Sequence, residues 1–233
     1  MNVLDLCSGV GGIALGIKLA VPTARTVCYV EREAFGCEVL VRQMQASRLD
    51  AAPIWTDLGT FDGRPWRGVV DCVSAGFPCQ RFSTASRGRT VAEDLWPHII
   101  RVIEESRPST VFLENVQRWP IGRASRCLSD LGYATAFDPF DSAEVGAAHR
   151  RRRWFLVAHL DRQGQLLSPV DDQVASLRPP GTSHRHRDPA RVLGVAVRPA
   201  TRMDRLRAIG NGVDVLAVAH AFRTLSDRLQ VTP

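Results

Sequence analysis

The chain has 233 residues, of which 45% are hydrophobic and 23% charged, a composition that predicts one soluble folded domain, with or without a small appendage. No window approaches the roughly 18 apolar residues of a membrane span, and no basic leader precedes the first strand-like run, so we expect neither a membrane anchor nor a secretion signal. The net charge is +6, and residues 150–207 alone hold 13 Arg and five Asp. This block is typical of a surface that faces a polyanion, although a solvated basic linker is the alternative.

Strand and helix patterns alternate along the first two thirds of the chain, which predicts an α/β fold with a doubly wound, mostly parallel sheet. Ligands bind to such sheets beyond the carboxyl ends of the strands. The predicted strands are residues 3–7, 26–30, 53–55, 69–75, 110–113 and 154–158, and the predicted helices are 13–20, 34–47, 95–105, 124–131 and 215–229.

The periodicity fails between residues 160 and 202, where five prolines and a His/Arg run interrupt the pattern. We interpret residues 159–202 as a small, loop-rich lobe inserted into a main domain formed by residues 1–158 and 203–233. The chain shows no internal repeat.

A glycine loop, residues 5–12 (DLCSGVGG), follows the first strand and precedes the first helix. Backbone N–H groups in such a turn can approach a ligand closely. The loop lacks the third glycine of a dinucleotide fingerprint, because Ala14 stands there, and it lacks the Lys of a phosphate-binding P-loop. It is compatible with a nucleotide-like cofactor without a pyrophosphate, for which Glu31 could bind the ribose hydroxyls and Asp57 an adenine amino group.

Cys79 lies in a rigid turn, residues 76–83 (GFPCQRFS), at the end of a strand, where a thiolate can act as a nucleophile. Glu114, which ends the neighbouring strand, could serve beside it as a buried acid or hydrogen-bond clamp. The other five cysteines are expected to be inert thiols in a reducing compartment. None of the six has zinc spacing, so we expect no metal site.

These segments resemble the ordered motifs of the DNA (cytosine-5)-methyltransferases. The resemblance rests on the glycine loop, the Gly-Phe-Pro-Cys-Gln turn, Glu114-Asn115-Val116, residues 144–154 (EVGAAHRRRRW) and residues 204–213 (DRLRAIGNGV). The motifs occur in the usual order and the chain resembles compact members of phage or prophage type. The family fold is a Rossmann-like methyltransferase sheet with a recognition lobe, here reduced.

The resemblance implies a role for each matching position. The chain would transfer a methyl group from S-adenosylmethionine to carbon 5 of a cytosine flipped out of duplex DNA, through a covalent Cys79 adduct, with S-adenosylhomocysteine as product. The implied catalytic residues are Cys79, Glu114, Arg151 and Arg153. The implied cofactor-binding residues are Asp5, Cys7, Gly9, Gly11, Gly12, Glu31, Asp57, Pro78 and Asn211. The candidate DNA contacts are Gln80, Arg81, Ser83, Arg87, Arg89, Arg185 and Arg187.

Three positions depart from the family pattern: Ala148 replaces a Pro, His149 replaces a Gln, and Asp214 stands where a Pro often follows. Both motif arginines remain, so we expect a shifted loop and retained activity. A recognition lobe this short predicts a target of roughly two to four base pairs, because base contacts specify sequence.

Two other functions stay open at this stage: a cytosine-5 methyltransferase that acts on tRNA, and a catalytically weak nucleic-acid-binding protein. We expect a monomer without membrane or metal partners, in the cytoplasm of a bacterial or phage-infected cell, and a restriction–modification context.

Overall fold

The computed structural model describes residues 1–77, 94–160 and 212–230. The strands are β1 (Asn2–Leu6), β2 (Arg25–Val30), β3 (Ile54–Trp55), β4 (Cys72–Gly76), β5 (Thr110–Asn115), β6 (Ala134–Asp141) and β7 (Arg152–His159). The helices are α1 (Gly12–Ala20), α2 (Ala34–Gln45), α3 (Trp96–Ser106), α4 (Arg118–Asp130) and α5 (Val215–Gln230), and two short 3₁₀ turns lie at Arg64–Trp66 and Ser142–Val145.

The seven strands form one sheet in the order β3-β2-β1-β4-β5-β7-β6. The first five strands in that order pair in parallel, whereas β7 runs antiparallel to both β5 and β6. The predicted doubly wound, mostly parallel α/β sheet is therefore confirmed. The strand order reverses at β1 and β4, which is where such sheets bind ligands.

Alternating side chains of the sheet enter hydrophobic cores on its two faces. On one face, Leu4, Val73 and Leu113 pack with α3 and α4. On the other face, Phe112 and Phe155 pack with α1 and α5. Helices thus cover both faces of the sheet, which explains why its central strands are nearly continuous apolar runs.

The sequence patterns missed β6 and misplaced the start of α4. β6 contains Pro139 between two aspartates, which argues against a central strand, but it lies at the sheet edge, where proline is tolerated. α4 starts at Arg118 and not at Ala124, because Pro120 lies in the first turn, where its missing N–H costs nothing. The division into a main domain and a lobe at 159–202 stays a prediction, since 161–211 lie outside the described residues.

Gly16 is required where α1 crosses α5. A Cβ at this position would lie 2.4 Å from the Val218 side chain and 2.9 Å from the Val215 carbonyl oxygen. Gly122 in α4 provides a matched control, because a Cβ there meets no described atom within 4 Å.

We expect Gly16→Ala to lower the free energy of unfolding by about 1–3 kcal/mol, the usual range for overpacking. Gly122→Ala should raise it by about 0.5–1 kcal/mol, because alanine loses less backbone entropy in a helix. Urea denaturation of both variants measures the difference. Equal stabilities would contradict the close α1–α5 packing.

Candidate active site

The glycine loop joins β1 to α1 at the carboxyl edge of the sheet. Cys7, Gly9 and Gly11 have φ values of 52°, 56° and 84°, a left-handed conformation that glycine adopts without strain. A Cβ on Gly11 would lie 2.5 Å from the Leu49 Cδ1 atom, whereas one on Gly9 would meet no described atom within 4 Å. The left-handed backbone at Gly11 therefore favours glycine, and Gly9 leaves open space for a ligand.

Glu31, buried at the end of β2, ties this loop to its neighbour strand. Its Oε2 atom accepts a hydrogen bond from the Gly9 N–H at 2.6 Å, and its Oε1 atom accepts one from the Glu33 N–H at 2.7 Å. Each carboxylate oxygen has two lone pairs, so both can accept a further bond from a ribose hydroxyl. The structure thus brings Glu31 against the glycine loop, and its ribose-binding role stays a prediction.

Asp57 follows β3, one strand further along the edge. The Glu31 N–H donates to the Trp55 carbonyl oxygen at 2.9 Å, so the ends of β2 and β3 are joined. Asp57 is exposed, and its Oδ1 atom accepts from the Gly59 N–H at 2.9 Å, which fixes the side chain in a tight turn. This position is accessible to a ligand at the edge of the sheet.

Asp5 lies within β1 and is fully buried. Ser74 Oγ of β4 donates to Asp5 Oδ1 at 2.5 Å, while Asp5 Oδ2 has no hydrogen-bond partner among the described residues. Burial raises the pKa of Asp5 to about 7, against the lowering effect of its serine hydrogen bonds. Asp5 therefore lies beneath the glycine loop, and its predicted cofactor contact stays a prediction.

This raised pKa makes the stability of the protein depend on pH. A carboxyl whose pKa rises on folding contributes stability that is complete below about pH 4 and is lost as the pH rises through about 7. Between pH 4 and 8 we expect the wild type to lose on the order of 2–4 kcal/mol relative to Asp5→Asn.

Urea unfolding of both proteins across that range measures the loss. Asp130→Asn, a change at an exposed carboxyl, serves as control and should follow the wild type at every pH. If the free energies of unfolding of the wild type and Asp5→Asn change with pH in parallel, the raised pKa of Asp5 is contradicted.

Glu114 ends β5 beside the end of β4 and is 7% exposed. It pairs in register with Gly76, where a Cβ would lie 3.2 Å from Glu114 Oε2. Burial raises the pKa of Glu114 to about 7, although Arg153 and Arg151 act in the opposite direction. The carboxyl therefore changes its charge near neutral pH, a property that suits proton transfer.

Two arginines of the β6–β7 region surround Glu114. Arg153 Nε lies 3.1 Å from Glu114 Oε1. Arg151 donates a side-chain hydrogen bond to the Gly212 carbonyl oxygen, and its backbone N–H donates to Asp141 Oδ1 at 2.9 Å. Burial and the charge of Arg153 lower the pKa of Arg151. The arginines thus connect β5 with the segment that precedes α5.

That segment also contacts the start of α1. A Cβ on Gly12 would lie 3.0 Å from the Val213 side chain, so this glycine permits a close approach. Gly212 and Val213 belong to the motif at residues 204–213. The structure therefore brings the glycine loop, Glu114 and the two arginines Arg151 and Arg153 to one edge of the sheet. The end of the 204–213 motif lies at the same edge.

Asn115 is a residue to which the sequence patterns assigned no role. Its Nδ2 atom donates to the Phe77 carbonyl oxygen at 2.8 Å, and its Oδ1 atom accepts from the Gln117 N–H at 3.0 Å. Phe77 immediately precedes Pro78 and Cys79. The available sequence signal was a polar residue directly after Glu114 at the end of an apolar strand. A polar side chain that becomes buried there needs hydrogen-bond partners.

A family model described as C-5 cytosine-specific DNA methylase matches residues 1–188 of the chain. The chain belongs to this family. The parts of the predicted C-5 cytosine-specific methylase motifs that the structure describes lie at the edge of the sheet just described.

Two curated relatives are similar over about two thirds of the chain. The Type II methyltransferase M.NgoMIV of Neisseria gonorrhoeae is 34% identical over 164 residues, which cover 66% of this chain and 50% of the relative. The Type II methyltransferase M.CviJI of Paramecium bursaria Chlorella virus IL3A is 27% identical over 166 residues, 67% of this chain and 42% of the relative. The chain thus spans half or less of the length of these relatives.

Among solved structures, a protein described as a DNA modification methyltransferase encoded within an Escherichia coli prophage has a similar fold. Its TM-score is 0.53 at 23% sequence identity, over 71% of this chain and 50% of that one. This similarity shows that the two chains share a fold.

Several predicted residues of this methylase lie outside the described residues. For Cys79, predicted to be the nucleophile, and for the others, the predictions rest on the sequence alone. They are Pro78, Cys79, Gln80, Arg81, Ser83, Arg87, Arg89, Arg185, Arg187 and Asn211.

Within residues 1–77, 94–160 and 212–230, no group of three or more His, Cys, Asp or Glu side chains could hold a metal ion. The helices of the same residues include none that is long and apolar enough to cross a membrane. The five cysteines described there are free thiols.

Proposed function

We propose that this chain transfers a methyl group from S-adenosylmethionine to carbon 5 of a cytosine extruded from duplex DNA. The observation that carries the proposal is the buried Glu114, which has a pKa of about 7, contacts Arg153, and ends the strand next to the one that leads into Pro78 and Cys79. Family membership supports the same reaction class.

The residues around the glycine loop fit the methyl donor. Gly9 leaves open space, and Glu31 offers carboxylate oxygens beside it. The exposed Asp57 lies at the next strand end, where it could accept from an amino group of adenine. S-adenosylmethionine, when bound there, supplies an electrophilic methyl group.

Cys79 and Glu114 would share the activation of the base. The Cys79 thiolate forms a bond to carbon 6, which moves electron density toward carbon 5, and the acid form of Glu114 donates to ring nitrogen 3. Methyl transfer to carbon 5 would leave S-adenosylhomocysteine as the co-product. The carbon 5 proton then passes to a base, the bond between carbon 6 and Cys79 breaks, and ring nitrogen 3 returns its proton to Glu114. The thiolate is thereby restored and the product keeps one methyl group.

Arg153 and Arg151 would hold Glu114 in place and contribute positive charge for the nucleic acid. Residues 159–202 would read a short target, and the protein would act as a cytoplasmic monomer in a restriction–modification setting. The Type II methyltransferase names of the relatives support that setting.

Transfer of tritiated methyl groups to plasmid DNA tests the proposal, with bulk tRNA as the competing substrate. We expect label in DNA alone, and bisulfite sequencing of the plasmid should place 5-methylcytosine at one short site. Label in tRNA alone would overturn the substrate, and label in neither would overturn the activity.

A further inference from the structure

A groove of about 520 Å³ runs along the outer surface of α4, and we call it the α4 groove. Its described lining consists of Arg118, Trp119, Gly122, Ser125 and Arg126 of α4 and Phe137 of β6. These residues lie on the face of the sheet that α3 and α4 cover, so the groove is separate from the glycine loop.

One end of the groove lies beside the active site. α4 begins three residues after Asn115, and the Arg118 guanidinium lies 5.6 Å from the centroid of the Trp154 ring. Trp154 pairs in register with Asn115 and follows Arg153, which contacts Glu114. The first turn of α4 therefore lies next to the edge of the sheet that carries Glu114.

The lining of the groove is positively charged, and the exposed Asp130 of α4 lies outside it, one turn after Arg126. None of its described lining residues is acidic, and two of the six are arginines, both exposed. The nearby carboxylate of Asp94 is paired with Arg123 at 2.9 Å. Asp138 of β6 pairs with Arg228 at 2.8 Å, on the opposite face of the sheet. The charge of the groove is thus complementary to phosphate.

Trp119 adds a large apolar surface to the groove. Its side chain is 59% exposed in the first turn of α4, and the Arg123 guanidinium lies 5.9 Å from its ring centroid. An exposed aromatic ring among arginines is an arrangement by which proteins bind nucleic acid, because the ring stacks on bases while the cations contact phosphates.

Gly122 keeps the floor of the groove open. A glycine within a helix costs about 1 kcal/mol relative to alanine, and no described neighbour lies where its Cβ would stand. Packing among the described residues therefore gives no reason for this glycine.

We propose that the α4 groove binds the sugar–phosphate backbone of the DNA strand that flanks the target cytosine. Arg118 and Arg126 contact phosphates, and Trp119 packs against a neighbouring sugar or unpaired base. This inference rests on the proposed function, since DNA is the occupant.

Fluorescence anisotropy with a labelled DNA duplex, measured across a salt series, tests the groove in the full chain. Arg126→Glu should weaken DNA binding about tenfold and reduce the slope of log affinity against log salt by about one, as expected for one lost phosphate contact. Trp119→Ala should weaken binding with little change in that slope. Arg25→Glu is the same charge reversal at the amino-terminal end of β2, away from the strand end that carries Glu114. It should weaken DNA binding less than twofold.

Methyl transfer measured in parallel separates the two proposals. At saturating DNA, Arg126→Glu should keep the wild-type turnover with a raised KM for DNA. If the wild type is active and both groove variants bind DNA as tightly as it does, only the proposed DNA site in the α4 groove is overturned. If the groove variants bind DNA less tightly but the wild type transfers no methyl group, the proposed methyl transfer is overturned and the proposed DNA site in the groove stands.

Two further results would overturn the groove as a DNA site. One is a wild-type dimer, seen by sedimentation, that Trp119→Ala dissociates without changing DNA affinity, since a second copy would then be the occupant. The other is an Arg126→Glu variant that binds an RNA duplex less tightly than the wild type does but binds DNA with unchanged affinity.

Discussion

Replacement of Glu114 by glutamine is expected to slow methyl transfer by about 10²–10⁴-fold, the usual contribution of a positioned general acid. Glutamine keeps the volume and can still donate a hydrogen bond, but it has no proton to transfer. The change leaves the half-buried Arg153 without its carboxylate partner, so we expect a folded protein of lower stability that still binds DNA. Single-turnover transfer and DNA anisotropy measure the two effects separately.

The pH profile should change in the same variant. Glu114 has a pKa of about 7, so its acid form is lost above neutral pH. The Cys79 thiolate increases with pH, which gives the wild type a rate maximum between the two titrations. Glu114→Gln should lose the decline on the alkaline side.

Glu104→Gln is the matched control, since Glu104 is exposed on α3. Its rate and pH profile should match those of the wild type. A Glu114→Gln protein with more than a tenth of the wild-type rate would assign the activation of the base to another group.

Cys79→Ala should abolish methyl transfer, because the proposed bond to carbon 6 is formed by the thiolate of this residue. The change removes one sulfur atom, and we expect binding of DNA and of the methyl donor to persist. Duplex DNA that contains 5-fluorocytosine should form a covalent adduct with the wild type, since fluorine cannot leave carbon 5 as a proton does. The variant should form none.

Cys127→Ala provides the control for the loss of a thiol. Cys127 is half-buried in α4, at the margin of the core beneath that helix. This variant should keep both transfer and adduct formation. An adduct on Cys79→Ala, located by peptide mass mapping, would identify a different nucleophile.

The sequence predicted much of the site because strand ends carry local signals. A short apolar run followed by a polar residue identified Glu31, Asp57 and Glu114, and the parallel fold brings such residues to one edge. Glycines of the loop were also recognisable, because a left-handed turn before a helix favours that residue type.

Other features depend on tertiary context that no local pattern contains. The depth of Asp5 follows from the pairing of β1 with β4, which sets it against Ser74. The hydrogen bond from Asn115 to Phe77 joins residues 38 positions apart. β6 could not be recognised because Pro139 weakens its strand pattern, and only its edge position makes that residue acceptable.

The reversed direction of β7 has a consequence for how the chain can vary. A parallel strand would bring its last residues to the ligand edge, whereas β7 brings its first, so Arg153 arrives there directly from the turn after β6. Successive side chains of a strand point to opposite faces, and a slip of β7 by one residue would turn Arg153 away from Glu114. A single-residue deletion at the start of β7 should thus be as damaging as the loss of the guanidinium itself, whereas the turn before it can change length more freely.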